Sequence, residues 1–160
     1  MNPPARRLTV IMPVYNDWQS ATLLIRDIAS AMAGSGYAVD IVAVDDCSTE
    51  SLPPQLDPGR DIAAAECLML AANMGHQRAI AVGLMAVAER PDLDLVAVMD
   101  ADGEDRPAEL RAMTDRAAGL PDRAIVAQRS ERSESLLFKA FYALYKIGRA
   151  SCRERVCLAV

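Results

Sequence analysis

The sequence predicts an α/β fold, a mostly parallel sheet with helices on both faces, and three observations carry that prediction. Short apolar runs alternate with longer amphipathic segments, the rhythm of successive βαβ units. Two of the runs, residues 39–44 and 95–99, are of the apolar kind that strands covered on both faces need. Finally, 160 residues at 52% hydrophobic and 24% charged make one folded domain with a core, which excludes a disordered or low-complexity chain.

The elements follow in order. Residues 8–12 form the first strand, stopped by Pro13. Asn16 or Asp17 can cap the next helix, where Leu23, Leu24, Ile28, Ala31 and Met32 recur at helical spacing until Gly34 and Gly36 end it. Residues 39–44 are the second strand. The segment 51–60, with Pro53, Pro54, Pro58 and Gly59, reads as a loop, and 67–71 as a weaker strand. A helix over 77–89 turns Ile80, Leu84 and Val87 inward and is closed by Pro91. Residues 95–99 are the next buried strand. Pro107 suits the first position of a helix running to Ala117, and 124–127 make a last strand.

Charge and cysteine usage narrow the function classes. A net charge of −5 and a pI near 4.9 leave no broad basic surface, so no nucleic-acid partner is expected. Cys47, Cys67, Cys152 and Cys157 form no C-x-x-C pair, which argues against a zinc site or a disulfide framework. No stretch approaches the ~18 uninterrupted apolar residues of a membrane span, and the N-terminus is no signal peptide.

Residues 147–160 break with what precedes them. The apolar periodicity stops, and IGRASCRERV over 147–156 matches, residue for residue, the translation of a common sequencing-library adapter. The segment 147–160 is therefore read as a non-native tail, and residues 1–146 as a C-terminally truncated domain. Without Arg149, Arg153, Arg155 and Glu154 the net charge moves from −5 to −7. Such tails are kept out of fold reasoning.

Acidic residues gather where a ligand would bind. Asp45 and Asp46 follow the second strand, and Asp100-Ala-Asp102 follows the fourth. In open α/β sheets, ligands bind beyond the carboxyl ends of the strands, so both clusters belong to one crevice. Tyr15 and Asn16 leave the first strand at that edge, and Asn73-Met-Gly75-His76 leaves the third. Asp100 and Asp102, one residue apart, lean to the same side if extended. Carboxylates so close repel, and a divalent cation such as Mg2+ or Mn2+ reconciles them while taking its other ligands from phosphate and water. The bland reading of the same residues is a polar turn with capping roles. Asp45 or Asp46 could likewise cap a turn, or accept hydrogen bonds from a nucleobase or a ribose. His76 follows a glycine at a helix start, where backbone N–H groups favour phosphate.

Four segments in order carry a family resemblance: Ile11-Met-Pro-Val-Tyr-Asn16, Val44-Asp-Asp-Cys-Ser-Thr49, Asn73-Met-Gly-His-Gln77 and Val98-Met-Asp-Ala-Asp-Gly-Glu-Asp105. Together they resemble the nucleotide-sugar-binding half of a family 2 glycosyltransferase with the GT-A fold. Within that family they are similar to the branch that includes polyprenyl-phosphate glycosyltransferases. The resemblance implies that Pro13, Val14, Tyr15 and Asn16 wall the nucleotide and that Asp45 or Asp46 addresses the base. It gives Asp100 and Asp102 the metal; Asn73, Gly75 and His76 are counted with the nucleotide-binding residues, His76 toward the diphosphate by its place at the helix start. It also implies an inverting transfer of a hexose from a UDP- or GDP-linked donor to an acceptor, foremost a polyprenyl phosphate in cell-envelope glycan synthesis. The full-length protein would then sit at the inner face of the cytoplasmic membrane.

An anionic acceptor needs cations to place it. Arg129 and Arg132, in the one dense arginine cluster outside the tail, are assigned to the acceptor phosphate or the donor diphosphate, against the alternative of a solvated loop. Residues 135–146 carry Phe138, Phe141, Tyr142 and Tyr145 flanked by Lys139 and Lys146. That is the make-up of an interfacial helix, or of a helix packed on its own core. A saccharide acceptor, a nucleotide-binding but inactive fragment and, more distantly, a response-regulator receiver domain are the competing readings. The receiver domain wants its acidic pair after the first strand and a lysine after the last; here no lysine precedes Lys139.

Overall fold

In the computed structural model the described residues are 6–51, 56, 61–103, 105–120 and 123–127. The chain runs β1 (Arg6–Val14), α1 (Trp18–Met32), β2 (Tyr37–Asp45), β3 (Ile62–Met69), α2 (His76–Ala88), β4 (Leu95–Val98) and α3 (Pro107–Ala118). The four strands lie in the order β3-β2-β1-β4, and every pair is parallel. All four therefore end at the same edge.

Alternation along β1 sends its side chains to two different layers. Leu8, Val10, Met12 and Val14 pack with Leu24, Ile25, Ile28 and Met32 of α1 and Leu110 of α3. Ile11 points the other way, into a smaller cluster with Val42 and Val44 of β2 and Ala79 and Val87 of α2. Period-two patterning on a sheet covered on both sides produces this division. Asp17 caps α1, its Oδ1 accepting from the Ser20 N–H at 3.3 Å. Leu23, grouped above with the apolar stripe of α1, faces outward at 54% exposure, while Ala21, Leu24 and Ile25 turn inward. On α2, Gly83 lies against the sheet: a Cβ there would stand 2.7 Å from Ile11 Cγ2 and 2.9 Å from Val44 Cγ2. Only a glycine lets this helix approach so closely.

Pro13 does not stop β1, which stays paired with β2 through Val14, and three further expectations need correction. The third strand spans 62–69, not 67–71. Its run of alanines has little strand propensity, but pairing with β2 along Val39–Asp45 outweighs that preference, as tertiary context commonly does. Residues 124–127 form no strand, because the outer edge of β4 carries no ladder among the described residues. They instead line a cavity of about 320 Å³ beside β4 and α3. Third, the run 39–44 contains Asp40, which is buried at 4% exposure. Its carboxylate accepts from Arg7 Nε at 3.0 Å, and Arg7 also pairs with Asp92, while the Arg7 N–H donates to Asp94 Oδ2 at 2.7 Å. Asp40, the first cause, and then Asp92 raise the Arg7 pKa further. Buried charge is tolerated in β2 because a guanidinium reaches it.

The expected boundary at 146, the arginine cluster with Arg129 and Arg132, the aromatic segment 135–146 and the tail 147–160 lie outside the described residues. Among the described residues no helix is long and apolar enough to cross a membrane.

Candidate functional site

The carboxyl ends of β1, β2 and β4 and the segment leading into α2 converge at one edge of the sheet. β1 and β2 stay coupled to their last residue, and the Asp46 N–H still donates to the Val14 carbonyl at 2.9 Å. Beyond that bond each strand turns into its loop, and side chains hold the loops together.

Asn16 adopts φ 53°, a left-handed conformation that asparagine tolerates better than most residues. Its Oδ1 accepts from the Thr49 N–H at 2.7 Å, the Thr49 hydroxyl at 3.2 Å and the Glu50 N–H at 3.2 Å, while its own N–H donates to Ser48 Oγ at 2.9 Å. The β1 and β2 loops are thereby laced together. Asp45 turns back on its own loop, Oδ1 accepting from the Ser48 N–H three residues on at 2.9 Å across a turn that carries Cys47 at φ 62°. Asp46 reaches across to the third segment: Oδ1 accepts from the Met74 N–H at 2.7 Å and Oδ2 from the Gly75 N–H at 2.8 Å. Both aspartates are nearly fully buried, at 7% and 4% exposure, so backbone N–H groups compensate charges that water cannot reach.

A cleft of about 260 Å³ lies between these loops, lined by Pro13, Val14, Tyr15, Asp46, Asn73, Gly75 and His76. All seven are among the nine residues assigned to nucleotide above; the other two, Asn16 and Asp45, stand behind the wall as its ties. The cleft is smaller than the ~300–1,000 Å³ of a small-molecule site, so a nucleotide would extend beyond it. His76 also lines the cavity beside β4, which adjoins Asp100 and Asp105. His76 Nε2 stands 3.2 Å from Asp100 Oδ1.

The Asp100–Asp102 pair differs from the extended arrangement expected. β4 ends at Val98 and the chain turns at residues 101 and 102, with Gly103 at φ 78°, so the same-side argument does not apply to Asp102. The turn is closed by Asp105, whose Oδ2 accepts from the Asp100 N–H at 2.9 Å. Among the described residues no three His, Cys, Asp or Glu side chains converge to hold an ion. The hard oxygens of Asp100 and Asp102 suit magnesium or manganese only where phosphate oxygens and water complete the shell, as those ions ordinarily require.

Several supporting residues were not singled out from sequence: Ser48 and Thr49 in the loop tie, and Asp105 as the turn closure. An aspartate at a strand end commonly accepts from a backbone N–H a few residues on, a local turn signal that could have found the bond between Asp45 and Ser48. The ties of Ser48 and Thr49 to Asn16 join segments more than thirty positions apart and leave no local trace, whereas Asp105 closes its turn from five positions away.

Comparison with known proteins bears on the family and the fold. The family model described as Glycosyl transferase family 2 matches residues 9–152. An undecaprenyl-phosphate 4-deoxy-4-formamido-L-arabinose transferase of Pseudomonas aeruginosa is 34% identical over 134 residues, covering 82% of this chain and 38% of that protein. The succinoglycan biosynthesis protein ExoO of Rhizobium meliloti is 36% identical over 121 residues, 73% of this chain and 32% of its own. A dodecaprenyl-phosphate galacturonate synthase of Rhizobium johnstonii is 26% identical over 147 residues, 89% and 42% respectively. The chain thus spans about two fifths or less of these relatives' length. Among solved structures, S. aureus TarS 1–349 in complex with UDP superposes with a TM-score of 0.60 at 20% identity, over 81% of this chain and 38% of that one. That likeness bears on the fold, which is the α/β arrangement of GT-A glycosyltransferases. With the family model matched over most of its length, the chain belongs to glycosyl transferase family 2.

Proposed function

We propose that the chain is the nucleotide-sugar-binding part of an inverting glycosyltransferase that moves a hexose from a UDP- or GDP-linked donor to a polyprenyl phosphate, in cell-envelope glycan synthesis at the cytoplasmic face of the membrane. The observation that carries the reading is the cleft itself: residues from three segments far apart in sequence line one hollow at the carboxyl edge of the sheet. Relatives named for undecaprenyl- and dodecaprenyl-phosphate transfer, and a neighbour of the same fold in complex with UDP, support it.

In this reading the nucleoside enters between Tyr15 and Asn73, against the backbone of Pro13 and Val14. The diphosphate extends past Gly75 and His76 toward Asp100 and Asp102, which would hold the divalent cation. When bound, that cation supplies Lewis-acid neutralisation of the charge on the departing nucleoside diphosphate. An acceptor phosphate oxygen forms the new bond to the anomeric carbon from the face opposite the breaking C1–O bond, which inverts the centre. The electron pair leaves on the diphosphate. The attacking oxygen is already anionic, so no strong general base is required. Arg129 and Arg132 are assigned to the acceptor phosphate or the donor diphosphate, where a guanidinium fork matches phosphate oxygens.

Calorimetric titration tests the donor half. UDP or GDP should bind more tightly with Mg2+ or Mn2+ than with EDTA, and Asp102→Ala should remove that difference, a loss of about tenfold or 1.4 kcal/mol. Equal binding with and without metal, or in the variant, counts against the Asp100–Asp102 assignment. A saccharide acceptor is the second reading, favoured by the similarity to a succinoglycan biosynthesis protein. Transfer of labelled sugar to an oligosaccharide but not to undecaprenyl phosphate would select it.

A further inference from the structure

The resemblance assigns one of the paired aspartates after β2 to the nucleobase, but the surroundings of Asp46 point elsewhere. Its side chain is buried at 4% exposure and both oxygens accept from backbone, Met74 N–H at 2.7 Å and Gly75 N–H at 2.8 Å. A carboxylate gripping two successive N–H groups fixes the position and tilt of that stretch of backbone. Gly75 is held at φ 88° and ψ 149°, a conformation that side chains other than hydrogen resist, though nothing lies within 4 Å of where a Cβ would stand. Backbone shape, not space, therefore requires the glycine. Gly75 is also the N-cap of α2, its carbonyl accepting from Arg78 and Ala79 N–H at 3.0 and 3.1 Å. His76 is consequently the first helical residue, and its Nε2 stands 3.2 Å from Asp100 Oδ1.

β2 and β4 are not neighbours, because β1 lies between them. The chain of contacts from Asp46 through Gly75 and His76 to Asp100 therefore bridges the carboxyl end of β1, along one side of the cleft. We infer that Asp46 is a positioning residue. It holds segment 73–76 so that His76 meets Asp100, and it acts on a bound nucleotide through that segment, not by contact with the base. The nucleotide half of this inference rests on the proposed function; the His76 half does not.

His76 is the sole histidine in the sequence, so its imidazole resonances in NMR are unambiguous. Asp46→Asn keeps the side chain's shape but replaces one acceptor with a donor that faces an N–H group. At fixed pH and without nucleotide or metal, the variant should shift the His76 imidazole resonances while those of the α1 layer stay in place. UDP and GDP should both weaken, by the same factor of about tenfold, as when a supporting partner behind a site is lost. His76 resonances unmoved from wild type overturn the inference. So does a change in the ratio of UDP to GDP affinity, which would make Asp46 a reader of the base. If the variant does not fold, wild type decides: the Met74 and Gly75 amides should be protected from exchange and show coupling across the hydrogen bonds to the Asp46 carboxylate. Amides that exchange freely and show no such coupling overturn it equally. Failure of wild type to bind either nucleotide defeats the proposed function, while the His76 shift still tests the positioning.

Discussion

The two ends of the sheet both bury carboxylates and compensate them differently. At the amino ends, Asp40 is matched by the Arg7 guanidinium, which also meets Asp92, while the Arg7 backbone N–H donates to Asp94. At the carboxyl ends, Asp45 and Asp46 are matched by backbone N–H groups of Ser48, Met74 and Gly75. A guanidinium on a flexible stem answers a charge from several directions, so the first arrangement ties strands together without dictating loop shape. Backbone N–H groups answer only when the peptide planes are set, so the second arrangement dictates the loops that wall the cleft. One end buys stability and the other geometry.

The largest expected effect touches both. Gly83→Ala gains helix propensity but drives a methyl into Ile11 and Val44, both fully buried. Overpacking of about 1–3 kcal/mol against a gain near 1 leaves a net loss of up to about 2 kcal/mol in urea unfolding. Because α2 begins at His76, nucleotide affinity should fall with it. A variant as stable as wild type would mean the helix is not pressed on the sheet. Next comes Arg7→Met, which leaves the buried Asp40 without its guanidinium. It should lower the urea midpoint and leave UDP and GDP affinities unchanged; a parallel loss of nucleotide binding would show that the two ends are not separable.

The smallest effect concerns Cys67 of β3, beside Asp45. Burial, with Asp45 adding to it, pushes its thiol pKa up. The folded thiol keeps its proton at a pH where the unfolded one has lost it, so folding binds the extra proton. That contribution is intact below the ordinary thiol pKa and is lost as pH rises through the folded one. Urea midpoints between about pH 8 and 10 should therefore fall more steeply for wild type than for Cys67→Ala. Parallel curves would place the thiol in open water.

How much was legible in the sequence depends on the range of the interaction. The helices of α1, α2 and α3 follow from apolar spacing, Asp17 as a cap and Pro107 at a first turn, signals contained within a few residues. Strands β1, β2 and β4 follow from apolar runs. β3 did not, because its alanines extend only when β2 offers a partner, and 124–127 did not, because an apolar run is no strand without a ladder. The site divides in the same way. Pro13, Val14, Tyr15, Asn73, Gly75 and His76 were placed at one edge by the parallel topology alone, and they do line one cleft. Nothing in the sequence distinguished the roles of Asn16, Asp45 and Asp46.

The sequence by itself determined the layers of this protein, its acidic carboxyl edge and its family, because periodicity, composition and short motifs are local and survive without a partner. Only the tertiary structure decided which carboxylates face inward, which backbone groups they hold and that His76 meets Asp100. Those pairings join residues 24 to 33 positions apart, and a hydrogen bond over such a separation exists only once the strands between have been brought side by side.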